Sequence, residues 1–161
     1  MLLLLLLPLC GWAQDDDAGS SNFTNELGVN AGFTTGLGLS YRHWGDRLGF
    51  QITGVPTISS SKTFISGAIT GLYSIKNYSM VRVFAYWGNH VIHESYRATW
   101  DESRSVIEEK TQYNTGVGLG FSFGRIVAFN VQIGYAAYDV FSDEGQLSLL
   151  PTIEVGLYWC F

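Results

Sequence analysis

Apolar residues recur at every second position through most of this chain, and the places between them hold glycine, small polar residues and few charges. A period of two is the side-chain spacing on one face of a β-strand, whereas a helix repeats near 3.6 residues. Leu27, Val29, Ala31 and Phe33 alternate with Gly28, Asn30 and Gly32. Leu37, Leu39 and Tyr41 alternate with Gly38, Ser40 and Arg42, and Leu48, Phe50 and Ile52 with Gly49, Gln51 and Thr53. The pattern returns over 117–123, 127–135 and 153–161. Segments 64–75 and 80–93 are strand-like but less cleanly phased; in the second, Val81, Val83, Ala85 and Trp87 oppose Arg82, Phe84, Tyr86 and Gly88. Eight strands result. No segment sustains a helical apolar period, and 91–110, the nearest, fails within two turns.

Eight alternating strands close either into a soluble barrel with an apolar interior or into a membrane barrel with an apolar exterior. Charge decides first. Charged residues are 14% of the chain, against about 25% in a soluble domain, and the strands contain only Glu26, Arg42, Arg82 and Glu154. A water-facing wall needs more. Glycine decides next: on a solvated face it weakens a strand, while in a narrow lumen it makes room for larger neighbours. The connections agree, with short ones at 45–47, 76–79 and 124–125 and, the three-residue 34–36 apart, longer ones at 56–63, 94–111 and 139–147. Short turns at one end and long loops at the other mark an outer-membrane barrel with both termini periplasmic. Aromatics fall near strand ends, at headgroup level: Phe33, Trp44, Tyr73, Tyr78, Trp87, Phe123, Tyr135, Trp159 and Phe161.

Composition closes other routes. The 161 residues suffice for one domain, and 47% hydrophobic with 15% aromatic content excludes disorder. Beyond residue 9 no apolar stretch approaches the roughly 20 residues of a spanning helix. A net charge of −5 makes nucleic acid an unsuitable partner. The leucine run Leu2 to Leu7, followed by Gly11, Trp12 and Ala13, reads as a secretory signal cleaved after Ala13. The expected organisation is a signal peptide over 1–13, an acidic polar tail over 14–25 and a barrel over 26–161. Cys10 leaves with the signal, so Cys160 has no intrachain disulfide partner and reads as a small packing residue.

With its export signal, alternating strands, short periplasmic turns and the ending Leu157-Tyr158-Trp159-Cys160-Phe161, the chain resembles the small outer-membrane β-barrel proteins of Gram-negative bacteria, of the OmpA/OmpX type. The resemblance spans residues 26–161 and implies an all-β, up-and-down antiparallel, eight-stranded transmembrane barrel. It also implies an assembly signal at Val155, Leu157, Trp159 and Phe161, read by the barrel-assembly machinery. Structural anchors, adhesion-related proteins, narrow pores and a few lipid-modifying enzymes share that architecture, and fold alone does not choose among them.

Candidate chemistry is sparse. His93-x-Ser95 resembles the His-x-Ser pair of lipid A deacylase barrels, and a carboxylate such as Glu108 or Glu109 would be needed to orient the histidine. A polar run where a strand leaves the membrane explains the same residues without chemistry. His90 and His93 fall on opposite strand faces, so no metal site is expected, nor any cofactor. Gly116, Gly118 and Gly120 alternate along a strand with no helix after them, which removes phosphate binding. Loop 94–111 carries Glu94, Arg97, Asp101, Glu102, Arg104, Glu108, Glu109 and Lys110 with Tyr96 and Trp100. It is a candidate contact for an extracellular partner or for lipopolysaccharide, through bridging cations and Arg97 or Arg104. Arg42, Arg82 and Glu154, with Gln51, Gln132, Asn30, Asn114, Asn130, Tyr86 and Tyr158, are expected to fill the lumen, the arginines pairing with Glu154 or Glu26. The reading is a monomeric, non-enzymatic outer-membrane barrel with a structural or surface-interaction role; a lipid-modifying hydrolase and a small passive pore are the alternatives.

Overall fold

A computed structural model describes residues 24–59, 62–101, 104–141 and 148–161, with 62, 97–101 and 104–108 described by backbone alone. The expected signal peptide and most of the acidic tail lie outside the described residues. The strands are β1 (Asn25–Gly32), β2 (Gly36–Trp44), β3 (Leu48–Ile58), β4 (Lys62–Asn77), β5 (Val81–Asp101), β6 (Arg104–Phe123), β7 (Val127–Tyr138) and β8 (Ser148–Cys160). They form one closed barrel in chain order, every neighbour antiparallel. The eight-stranded antiparallel architecture read from the alternation is the architecture observed. Closure joins β1 to β8 from Glu26↔Cys160 to Ala31↔Val155. Beyond that ladder the Asn25 and Phe161 amides each donate to the other's carbonyl, at 3.2 and 2.8 Å.

The two faces of the wall are inverted relative to a soluble protein. Leu27, Val29, Leu39, Ile52, Ile69, Leu119, Ile133, Val155 and Leu157 are exposed, while Asn30, Ser40, Arg42, Gln51, Thr53, Thr70, Asn130, Gln132 and Glu154 are buried. Apolar outside and polar inside is the pattern of a transmembrane barrel. Segments 64–75 and 80–93 look poorly phased because Leu72, Phe84 and Tyr86 point inward, while Gly67, Gly71 and Asn89 lie on the outer phase. A break in register between Ser74 and Lys76 disturbs the end of β4 further. The inward rings are seated on glycines. A Cβ at Gly120 would strike the Phe84 ring, and one at Gly118 would come within 2.7 Å of Tyr86.

Two expectations change. Trp44, grouped with the interfacial aromatics, is 2% exposed and faces the lumen, because it shares a phase with Ser40 and Arg42. Segment 94–111 is mostly strand rather than loop: β5 runs to Asp101 and β6 begins at Arg104. High charge suggested a loop. Beyond the membrane, however, both faces of a strand meet water, and the register sets Glu94 opposite Lys110, a favourable cross-strand pair. The asymmetry between the ends therefore lies in strand length. β5 and β6 have 21 and 20 residues, against 8 and 9 in β1 and β2. Among the described residues, β4 accompanies β5 only to Tyr96 and β7 joins β6 only from Thr115, so no other described strand flanks the far part of the β5–β6 hairpin.

Candidate functional site

Near the chain termini the lumen holds a carboxylate shared by two arginines. Glu26 accepts from Arg42 Nη1 at 3.1 Å on Oε2, and on Oε1 from Arg82 Nη1 at 3.4 Å and Trp44 Nε1 at 2.9 Å. Arg42 also donates from Nε and Nη2 to Gln51 Oε1, at 3.2 and 2.7 Å. Its guanidinium lies 4.2 Å from the Tyr158 ring centroid and 5.4 Å from that of Phe84, and Arg82 lies 4.4 Å from Trp44. Paired charge, hydrogen bonds and ring faces together offset the desolvation of a guanidinium that water does not reach.

Glu154 belongs to a different cluster. Rather than meeting an arginine, its carboxylate receives five donors: the amides of Thr34 and Thr35 at 3.0 and 3.1 Å, both of their hydroxyls, and the Thr152 hydroxyl at 3.3 Å. Thr34 and Thr35 are wholly buried, so the β1–β2 turn is folded into the lumen instead of out into solvent. The expected pairing therefore holds for Glu26 and not for Glu154. The turn's own backbone supplies the donors, an arrangement that residue spacing does not announce.

Between the clusters runs a continuous polar chain. Asn30 Nδ2 donates to Thr35 Oγ1 and Gly36 O, both at 2.8 Å, and Tyr158 Oη donates to Asn30 Oδ1 or Ser40 Oγ, each at 3.1 Å. Gln51 Nε2 donates to Thr53 Oγ1 at 3.0 Å. Among the described residues, the Asn130 side-chain amide and the Gln132 carbonyl oxygen are buried with no protein partner, a condition that calls for internal water.

His93 and Ser95 share the outer phase of β5, and Ser95 stands opposite Glu109 on β6. The His93 Nδ1 bond goes to Thr111 Oγ1 at 2.9 Å, and among the described residues none joins His93 to Ser95 or Glu109. The Glu108 side chain lies outside the described residues. His90 faces the opposite way, into the lumen: its Nδ1–H donates to Phe33 O at 2.8 Å, which leaves Nε2 to accept from the Ser66 hydroxyl at 2.8 Å. Among the described residues, no group of three or more His, Cys, Asp and Glu is placed to hold a metal. Leu157, Trp159 and Phe161 project outward from the β8 end, with Val155 above them.

No family model matches the chain, and no curated protein matches it. Among solved structures, the N-terminal β-barrel domain of Pseudomonas aeruginosa OprF is similar, with a TM-score of 0.51 at 13% identity, over 85% of this chain and 95% of that one. The fold is that of the OprF barrel. At this identity the likeness carries architecture: a closed eight-stranded outer-membrane-type barrel.

Proposed function

We propose that the protein is a non-enzymatic outer-membrane β-barrel of a Gram-negative bacterium that presents the β5–β6 hairpin at the cell surface. On this reading residues 1–13 direct export, the barrel-assembly machinery reads Val155, Leu157, Trp159 and Phe161, and both termini face the periplasm. The observation that carries it is the hairpin itself, which rises past its neighbours on an apolar-walled, lumen-filled barrel. Among the described residues, the β6 edge over 104–112 has no strand beside it, so its backbone groups are open to a partner. Mixed charge over 94–111, with Arg97 and Arg104, suits anionic lipopolysaccharide bridged by divalent cations.

A hydrolase using His93 and Ser95 is disfavoured because, among the described residues, no hydrogen bond joins the two, and His93 Nδ1, where an orienting carboxylate would sit, meets Thr111 Oγ1 instead. The test uses cells and purified protein. Surface protease should cut within 94–111 on intact cells, and immobilised lipopolysaccharide with magnesium should retain the full chain but not one whose 94–111 segment is replaced by a short turn. Cleavage only after the outer membrane is breached would invert the topology; equal retention of both chains would remove the hairpin from the function. Unchanged lipid A acylation in Ser95→Ala is expected as well.

A further inference from the structure

We propose that the β1–β2 turn is a hinged lid over the lumen and that Glu154 is its latch. β1 and β2 are the shortest strands, and their hairpin ends at Gly32↔Gly36, while β8 and β3 continue past it to Ser148 and Ile58. The turn thus begins below the rim opposite the termini. Gly36 and Gly38 have φ of +88° and +125°, in the region that favours glycine, and these two positions bend the start of β2 inward.

The lumen is shaped to receive this turn. A Cβ at Gly88 would lie 2.5 Å from the Thr34 carbonyl oxygen, and one at Gly116 would lie 2.8 Å from Thr34 Cγ2. Two walls, β5 and β6, are thus hollowed where Thr34 sits. Besides the four donors that Thr34 and Thr35 give Glu154, Phe33 O accepts from His90 Nδ1 at 2.8 Å and Asn114 Nδ2 at 3.2 Å, and Thr35 O accepts from Asn30 Nδ2 and Gln51 Nε2, each at 3.4 Å, beside the Asn30 bonds to Thr35 Oγ1 and Gly36 O. The holding groups on β5, β6 and β8 are polar side chains that keep their place if the turn leaves. A short turn seated on hydrogen bonds to side chains, with Glu154 taking more of them than any other group, is the kind of segment that opens locally without global unfolding.

The experiment places a thiol on the lid. In a Cys160→Ser background, Thr35→Cys is treated with a bulky maleimide in detergent micelles, with and without Glu154→Ala. Modification should be slow with Glu154 present and at least about tenfold faster without it, since each hydrogen bond to a charged group is worth about that factor or more. Heat-dependent gel mobility on each variant separates lid opening from loss of the barrel. Should Glu154→Ala fail to fold, Thr34→Val, which deletes one latch donor at nearly constant shape, takes its place with the same expectation. Both chains carry Thr35→Cys, so the loss of that hydroxyl cancels in the comparison, and equal rates with and without the latch in folded barrels, fast or slow, would overturn the proposal.

Discussion

At the scale of single residues, the lumen distributes its charges unevenly. Glu26 serves Arg42, Arg82 and Trp44 at once, whereas Glu154 serves only hydroxyls and amides. Removing Glu26 takes a carboxylate from two guanidinium groups in a site where Arg42 is fully buried. Glu26→Ala should therefore cost about 3–5 kcal/mol, the range for breaking a buried pair. Urea unfolding in lipid vesicles measures this; a loss under about 1 kcal/mol, as for a surface pair, would show that ring stacking and Gln51 suffice for Arg42. Overpacking gives an independent check, because a Cβ at Gly120 has no space beside Phe84. Gly120→Val should destabilise by roughly 1–3 kcal/mol, and combining it with Phe84→Ala should recover part of that loss. Strand phase made the polar lumen residues such as Asn30, Arg42, Gln51 and Glu154 legible, but not the inward apolar ones, Trp44 among them. What each one bonds was not legible, because Glu154 is separated from Thr34 by 120 positions and meets it only across the closed barrel.

At the scale of elements, period-two alternation located every strand; it blurred in β4 and β5, where apolar residues also face the lumen, and failed at ends where the solvent on both faces becomes the same. Inside the membrane the pleat separates lipid from lumen, so the sequence must alternate. Past the rim β5 and β6 face water on both sides, and nothing forces Glu94, Arg97, Glu108 or Lys110 into phase. The same logic makes the wall testable. Leu119 lies on the exposed face of β6, between Ala85 and Ile133 of the flanking strands. Leu119→Lys should lose roughly 2–4 kcal/mol if this position is near the bilayer midplane; the same change at Lys110's neighbour Thr111, beyond the wall, should cost little. The last strand has a second role on the proposed outer-membrane reading. Phe161 exchanges two backbone hydrogen bonds with Asn25 at the closing seam and presents an exposed ring beside Trp159. Deleting Phe161 should leave export intact and reduce insertion, so that unfolded, protease-sensitive chain collects in the periplasm. Val131→Ala should mainly lower stability. Full insertion without Phe161 would separate the resemblance at the C-terminus from any role in assembly.

At the scale of the whole molecule, the barrel is closed by three stacked layers rather than by one constriction. Opposite the termini, Thr34 and Thr35 occupy the lumen on Glu154; at mid-height Asn30, Ser40 and Tyr158 bond across it; below them Arg42 lies among the rings of Tyr158, Phe84 and Trp44. An eight-stranded lumen is only wide enough for its own side chains, so the layers together remove the path for a hydrated ion. The Asn130 amide and the Gln132 carbonyl oxygen, buried without partners among the described residues, call for single held waters, which is a different matter from a water-filled channel. The wild-type protein in planar bilayers should therefore show no steady conductance steps. Opening the lid alone should not change this, because the Arg42 layer remains beneath it. Glu154→Ala is expected to expose the turn to reagents yet stay electrically silent, while Glu154→Ala combined with Arg42→Ala and Phe84→Ala removes two layers and is the variant expected to leak. Steady steps from the wild-type chain would make it a pore in spite of its packing; silence from a folded triple variant would place the decisive closure at Asn30 and Tyr158.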